Sequence, residues 1–330
     1  MSDAPVAPVP IIDLAPTLGG DPTARAACAA AIDQASRDHG FLVITGHGID
    51  NSLIDTVVDA ARGFFNLPHE EKSAVAPPGP FDFRGYLGLD TTSLASTLGD
   101  DATPPDLCES FNISGFDDPV VRNRATIAGY EPIFLENLWP ASPSELRPAF
   151  EAYYAELEAL SRAMLPLFAA ALDLPDTWFD DKIADHTSLL LANWYPPVTA
   201  DLRAGQLRRG AHTDYGAFTI ISVEQIPGLQ ISLDGIWHDV PLVENSFVVN
   251  LGDLMARWTN DQWVSTLHRV VIPEGAAAQQ DRVSVPFFFQ PSFGAVIETI
   301  PTTIDEFHPA HYETVVAGEW ITAKSMAMLD

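Results

Sequence analysis

Between Ala149 and Leu172 apolar side chains recur every third or fourth residue: Phe150, Tyr153, Leu157, Leu160, Met164, Phe168 and Leu172 fall on one stripe. That spacing predicts one long amphipathic helix, bent at Pro166. Upstream, Val9–Leu14 reads as a short strand, Pro22–Asp38 as an Ala-rich helix, and Phe41–Thr45 as a buried strand closed by Gly46 and Gly48. Asp50 or Asn51 caps a second helix that stops at Phe65, before Leu67-Pro68. Residues 76–105 are rich in Pro, Gly, Thr and Ser and read as a long loop, the kind that often serves as a functional lid.

After Pro175 the texture changes to short runs of Val, Ile, Phe and Leu separated by Gly, Pro, Asn or Asp. Predicted strands are Leu189–Tyr195, Phe218–Val223, Leu229–Leu233, Ile236–Val240, Phe247–Leu251, Leu267–Ile272 and Val283–Phe289. Closely spaced strands with turn signals point to a β-sandwich or barrel, and among these the jelly roll commonly houses small-molecule sites. Glu313–Met328 reads as a C-terminal helix placed to cover the mouth of such a site. The expected class is α+β: a β core, a helical N-terminal layer and a long backing helix in one structural unit.

Composition narrows the function. Of 330 residues 47% are hydrophobic and 19% charged, which supplies a sizeable core and excludes general disorder. Lys and Arg number 17 against 45 Asp and Glu, a net charge of −28. Nucleic acid and anionic membrane are therefore not expected partners, because both need a cationic face. Two cysteines form no disulfide framework, and the N-terminus lacks a secretory pattern, so a cytoplasmic monomer is expected.

Four short patterns carry chemistry. In His212-Thr213-Asp214 an imidazole and a carboxylate stand two residues apart, so in an extended segment both face one ion. With nine His in the chain, such a pair is expected about once by chance, so it needs partners. His268 follows in an apolar strand, and two His with one carboxylate on a β scaffold make the facial triad of non-haem Fe(II) oxygenases. Arg282 and Ser284 are again two apart, offering a guanidinium and a hydroxyl to one carboxylate. Asn193 and Tyr195 offer an amide and a phenol in the same way.

These elements resemble, in order and spacing, an iron(II)- and 2-oxoglutarate-dependent dioxygenase of the isopenicillin N synthase-like family. The resemblance covers nearly the whole chain. Val9–Leu14, His39–Gly48 and Phe64–Pro68 are similar to the family's opening region, and Phe83-Arg84-Gly85-Tyr86 to its substrate-side segment. His212-Thr213-Asp214-Tyr215-Gly216, His268-Arg269-Val270 and Arg282-Val283-Ser284 resemble its His-x-Asp, distal His and Arg-x-Ser elements. The fold implied is a double-stranded β-helix, the cupin-like jelly roll. Residues 1–120 would form the N-terminal region, 121–174 the linking segment and long helix, 175–300 the jelly-roll core, and 301–330 the C-terminal helix.

The resemblance implies that His212, Asp214 and His268 bind Fe(II). It also implies that Arg282 and Ser284 hold the distal carboxylate of 2-oxoglutarate with help from Tyr195 and Asn193. O₂ would be consumed, succinate and CO₂ released, and a small-molecule substrate hydroxylated or otherwise oxidised. Trp194 stands where the family commonly has Tyr. Asp214 argues against halogenation, since related halogenases carry a small residue there. Substrate-side candidates by analogy are Phe81, Phe83, Arg84, Tyr86, Phe111, Trp258 and Phe289, with Phe218, Phe247 and Phe287 as further walls. Three alternatives stay open: an oxidase of the isopenicillin N synthase type that needs no 2-oxoglutarate, a zinc hydrolase with the same ligands, and a non-catalytic jelly-roll binding protein.

Overall fold

The computed structural model describes residues 4–79, 84–89, 91, 93–95, 104–198 and 202–326. Two sheets dominate it. The larger has strand order β1-β2-β10-β7-β12-β5-β4-β3, comprising β1 (Ile11–Asp13), β2 (Phe41–Thr45), β3 (Gly85–Leu87), β4 (Glu109–Ser114), β5 (Leu189–Tyr195), β7 (Phe218–Val223), β10 (Phe247–Leu251) and β12 (Arg282–Phe289). The smaller has the order β6-β11-β8-β9, built from β6 (Arg209–His212), β8 (Leu229–Leu233), β9 (Ile236–Asp239) and β11 (His268–Val270). The fold is a jelly roll with helices packed outside it, in the α+β class.

Helices form where the spacing placed them. Pro22–Asp38 starts on Asp21, whose carboxylate accepts from the Thr23 and Ala24 amides, and Asn51–Phe65 starts on Asp50, which accepts from the Ser52 amide. The long helix runs Leu146–Ala171 with Pro166 inside it. Its apolar stripe backs the larger sheet through Tyr154 against Phe287 and Phe168 against Phe218, both T-shaped at 5.1 Å. The C-terminal helix is shorter at its start than expected, Ala317–Met326.

Five strands escaped the sequence reading: β3 and β4 beside the Pro/Gly-rich stretch, β6 before the His-x-Asp motif, and the two-residue pair β13 (Val296–Ile297) and β14 (Val315–Val316), the second of which takes the expected start of the C-terminal helix. In β4 the reason is its inward polar face, because Ser110 and Asn112 line a cavity while Phe111 and Ile113 enter the core. A strand with polar groups turned toward a functional cavity lacks the apolar signal that marks a core strand.

Strand alternation separates the core from that cavity. Along β12, Arg282, Ser284, Pro286 and Phe288 line the cavity, whereas Val283, Val285, Phe287 and Phe289 pack under the helices. Along β5 the cavity side is Leu189, Leu191, Asn193 and Tyr195.

Where the long helix meets the jelly roll, Glu158 lies 3.1 Å from His186 Nε2 and 3.0 Å from Arg162 Nε. The hydrogen bond from His186, working against partial burial, holds this carboxyl down to about 2 from its ordinary 4.5. A depressed carboxylate pKa contributes stability above the unfolded value and loses it as pH falls through the folded one. Glu158→Gln is therefore expected to cost up to about 1 kcal/mol at neutral pH. The deficit should close as pH drops from 4.5 toward about 2, read by denaturant melts of both proteins across that range.

Candidate active site

His212 closes β6 and His268 opens β11, and the antiparallel register sets them opposite each other. Their rings lie 4.2 Å apart. Asp214, two residues beyond His212, brings Oδ1 to 3.8 Å from His212 Nε2 and 3.7 Å from His268 Nε2. All three ligand-type atoms fall within 4.8 Å of one another, the one such His/Cys/Asp/Glu cluster among the described residues.

Each group is held by bonds on its far side. The Nδ1 atoms of His212 and His268 face the carbonyls of Gly210 at 2.8 Å and Thr266 at 3.1 Å. A carbonyl needs a donor, so Nδ1 carries the proton and Nε2 turns its lone pair to the centre. Asp214 Oδ2 accepts from Thr219 Oγ1 at 2.5 Å and Asn250 Nδ2 at 2.6 Å, leaving Oδ1 for the cluster. Burial, then the neighbouring His268, pushes His212 down to about 3, so its imidazole is neutral at pH 7. Burial opposes ionisation of Asp214, but the two imidazoles and the Thr219 and Asn250 bonds outweigh it and bring the carboxyl below its ordinary range.

Two imidazoles and one carboxylate converging on a cavity fit a divalent ion with positions left open for other ligands. Close backbone packing supports them. A Cβ on Gly252 would come within 2.3 Å of Gly216 O and 3.0 Å of Asp214 O, so the chain passes behind the motif only without a side chain.

A second cluster begins where β12 pairs with β5, with Arg282 opposite Tyr195 and Ser284 opposite Asn193. Arg282 is 1% exposed; its Nε reaches Ile226 O at 3.3 Å while Nη1 has no acceptor among the described residues. A buried guanidinium with an unmatched donor is costly unless an anion completes it. Its Cζ lies 5.2 Å from the Tyr195 ring centroid, and Arg208, fully buried, stands 6.0 Å from the same ring. Burial and the nearby Arg282 push Arg208 down to about 10, still protonated at neutral pH. The sequence reading missed Arg208 and its neighbour Arg209.

Both clusters open into one cavity of about 380 Å³. Its remaining wall includes Leu87, Leu189, Leu191, Asn112, Tyr215, Phe288 and Gln290, with Ile321 and Ser325 from the C-terminal helix. That helix is tied down by Lys324 Nζ, 3.1 Å from Asp253 Oδ2.

The substrate-side candidates fare differently from the metal and anion groups. Tyr86, Phe111, Trp258 and Phe289 lie in the hydrophobic core, not on the cavity wall, as do Phe218, Phe247 and Phe287. The cause is the two-residue period: Phe111 and Phe289 are adjacent to wall residues and so point the other way. Arg84 is buried, donating to Ile133 O at 2.6 Å with its Cζ 5.9 Å from the Phe116 ring. Phe81 and Phe83 lie outside the described residues. Trp194 faces away from the cavity, with Nε1 donating to Asp281 at 3.0 Å.

A two-histidine, one-carboxylate cluster beside a buried Arg/Ser pair inside a jelly roll has the donor set that non-haem iron oxygenases use. Residues 9–142 match the family described as "non-haem dioxygenase in morphine synthesis N-terminal", and residues 186–291 match the 2OG-Fe(II) oxygenase superfamily. The chain is 35% identical to validamycin A dioxygenase of Streptomyces hygroscopicus subsp. limoneus, over 97% of this chain and 87% of that protein. It is 31% identical to homoarginine-6-hydroxylase of Oryza sativa subsp. japonica, over 96% of both chains. A full-length Neurospora crassa protein solved with alpha-KG and thymine superposes with a TM-score of 0.84 at 28% identity, covering 99% of this chain and 98% of that one. The chain belongs to the 2OG-Fe(II) oxygenase superfamily. It is an oxidoreductase whose cofactor is Fe(II) and whose cosubstrates are 2-oxoglutarate and O₂. No helix among the described residues is long and apolar enough to cross a membrane.

Proposed function

We propose that His212, Asp214 and His268 hold Fe(II), and that Arg282 and Ser284 hold the distal carboxylate of 2-oxoglutarate with Tyr195 and Asn193 assisting. The reading is carried by one observation: the ligand cluster and a buried guanidinium with an unmatched Nη1 open into the same cavity. When bound, Fe(II) and 2-oxoglutarate supply O₂ activation, with release of succinate and CO₂ and oxidation of the substrate. The protein's part is placement. The two imidazoles and Asp214 leave adjacent positions free on the ion. The Arg282 and Ser284 face of β12 fixes the orientation of the cosubstrate.

The substrate is a compact small molecule with a largely apolar body and a polar handle. Support comes from the wall: Leu87, Leu189, Leu191, Phe288 and Ile321 are apolar, while Asn112 and Gln290 supply the polar contacts. Two buried free cysteines, Cys28 and Cys108, support a reducing cytoplasmic setting.

The test is a small-metabolite panel with Fe(II)-reconstituted protein, following O₂ uptake and succinate together. Substrate-stimulated succinate formation that requires 2-oxoglutarate is the expected result. O₂ uptake with no 2-oxoglutarate present would instead establish an oxidase, and activity under strict anaerobiosis a hydrolase. Removing residues 317–330 takes Ile321 and Ser325 off the wall. It is expected to raise the substrate KM about ten-fold and leave the 2-oxoglutarate KM unchanged; unchanged values for both would show that the helix is not part of the substrate site.

A further inference from the structure

Arg209 lies three residues before His212 and lines the cavity, yet its side chain is only 8% exposed. From β6 in the smaller sheet it crosses to β4 and β5 in the larger one. Nη1 lies 3.4 Å from Asp106 Oδ2, and Nη2 donates to Ser110 Oγ at 3.2 Å and to Asn193 Oδ1. Asp106 is fixed in turn, accepting from the Gly210 amide at 2.8 Å and the Leu94 amide at 3.4 Å. Asn193 Oδ1 also accepts from Ser110 Oγ at 2.8 Å and from Cys108 Sγ at 3.6 Å.

Every donor around Asn193 thus points at Oδ1, and Nδ2 makes no hydrogen bond to a described residue. An amide has two orientations, and they differ in what they present to a ligand. With Oδ1 turned to the guanidinium, the amide shows an N–H donor to the cavity; flipped, it would show an oxygen to an incoming carboxylate and leave a buried charge short of an acceptor. We infer that Arg209 is a positioning residue that, through Asn193, sets the N–H donor this cavity offers to 2-oxoglutarate. This rests on the cosubstrate reading above.

The test is an anaerobic titration of Fe(II)-loaded protein with 2-oxoglutarate, following the visible charge-transfer band of the keto acid on iron. Removing Arg209 alone would strand buried Asp106, so the variant is Arg209→Met with Asp106→Asn. Its 2-oxoglutarate Kd is expected to rise about ten-fold, the size of one charge-assisted hydrogen bond, with a shifted band. On an Asn193→Ala background the same pair should weaken binding no further. Arg209→Lys keeps the charge facing Asp106 but not the fork, and should lie between wild type and the double variant; it carries the test if the double variant fails to fold. Unchanged Kd and band in the variants, or equal weakening with and without Asn193, overturns the inference while the cosubstrate reading stands. Absence of the band in wild type takes down both.

Discussion

Asp214→Ala is expected to abolish substrate-stimulated succinate formation, by about three orders of magnitude or more. Several kcal/mol of metal-dependent stabilisation are lost, and each 1.36 kcal/mol is about a factor of ten. The substitution takes away the one anionic member of the cluster and leaves Thr219 and Asn250, both buried, without their shared acceptor. Iron retained on the purified protein should fall with activity. Asn250→Ala provides the graded comparison. It keeps all three ligand atoms and removes only one bond to Oδ2, so the expected loss of metal affinity or activity is about 10- to 100-fold. Equal losses in the two variants would mean that Asp214 matters for packing and not as a ligand.

Arg282→Met is expected to raise the 2-oxoglutarate KM by a hundred-fold or more, with kcat at saturation falling far less. A charge-assisted bond contributes about 1.5–3 kcal/mol, and the fork offers two. Iron affinity should not change, because Arg282 touches none of the ligand residues. Arg282→Lys keeps a cation but not two parallel donors, and should fall between them. Steady-state kinetics with 2-oxoglutarate as the varied component checks this. A kcat loss without a KM change would contradict the assignment of Arg282.

Much of the site was legible because it obeys the two-residue period of a strand. His212 with Asp214, Arg282 with Ser284, and Asn193 with Tyr195 are each one strand repeat apart, and the structure turns each pair into the same cavity. The helices were legible for a similar reason: their apolar stripes and their Asp21 and Asp50 caps are local signals. The substrate wall was not. Leu189, Leu191 and Phe288 look like any core residue, and only the register of β5 and β12 shows which faces meet the cavity. Tyr86, Phe111 and Phe289, chosen by analogy, each stand one residue from a wall position and so turn into the core. Arg208 and Arg209 were missed because no short pattern marks them: their partners, Gln280, Asp106 and Asn193, lie 16 to 103 residues away. Such contacts arise only when the two sheets close on each other.

The net charge of −28 gave no warning of this site. Arg208, Arg209 and Arg282 cluster around Tyr195 and Asn193, so the local field is cationic in a strongly acidic chain. Long-range charge governs encounter, whereas what stays bound depends on the charges local to the cavity.

The central claim is that one cavity of this chain holds both Fe(II) and 2-oxoglutarate on the residues named. The measurement that bears on it most directly is the anaerobic visible spectrum of metal-free protein titrated first with Fe(II) and then with 2-oxoglutarate, for wild type and for His212→Ala. The account predicts a charge-transfer band that saturates at about one iron and one 2-oxoglutarate per chain, and that does not form in the variant. A band of full strength in His212→Ala, or none in the wild type, would contradict it.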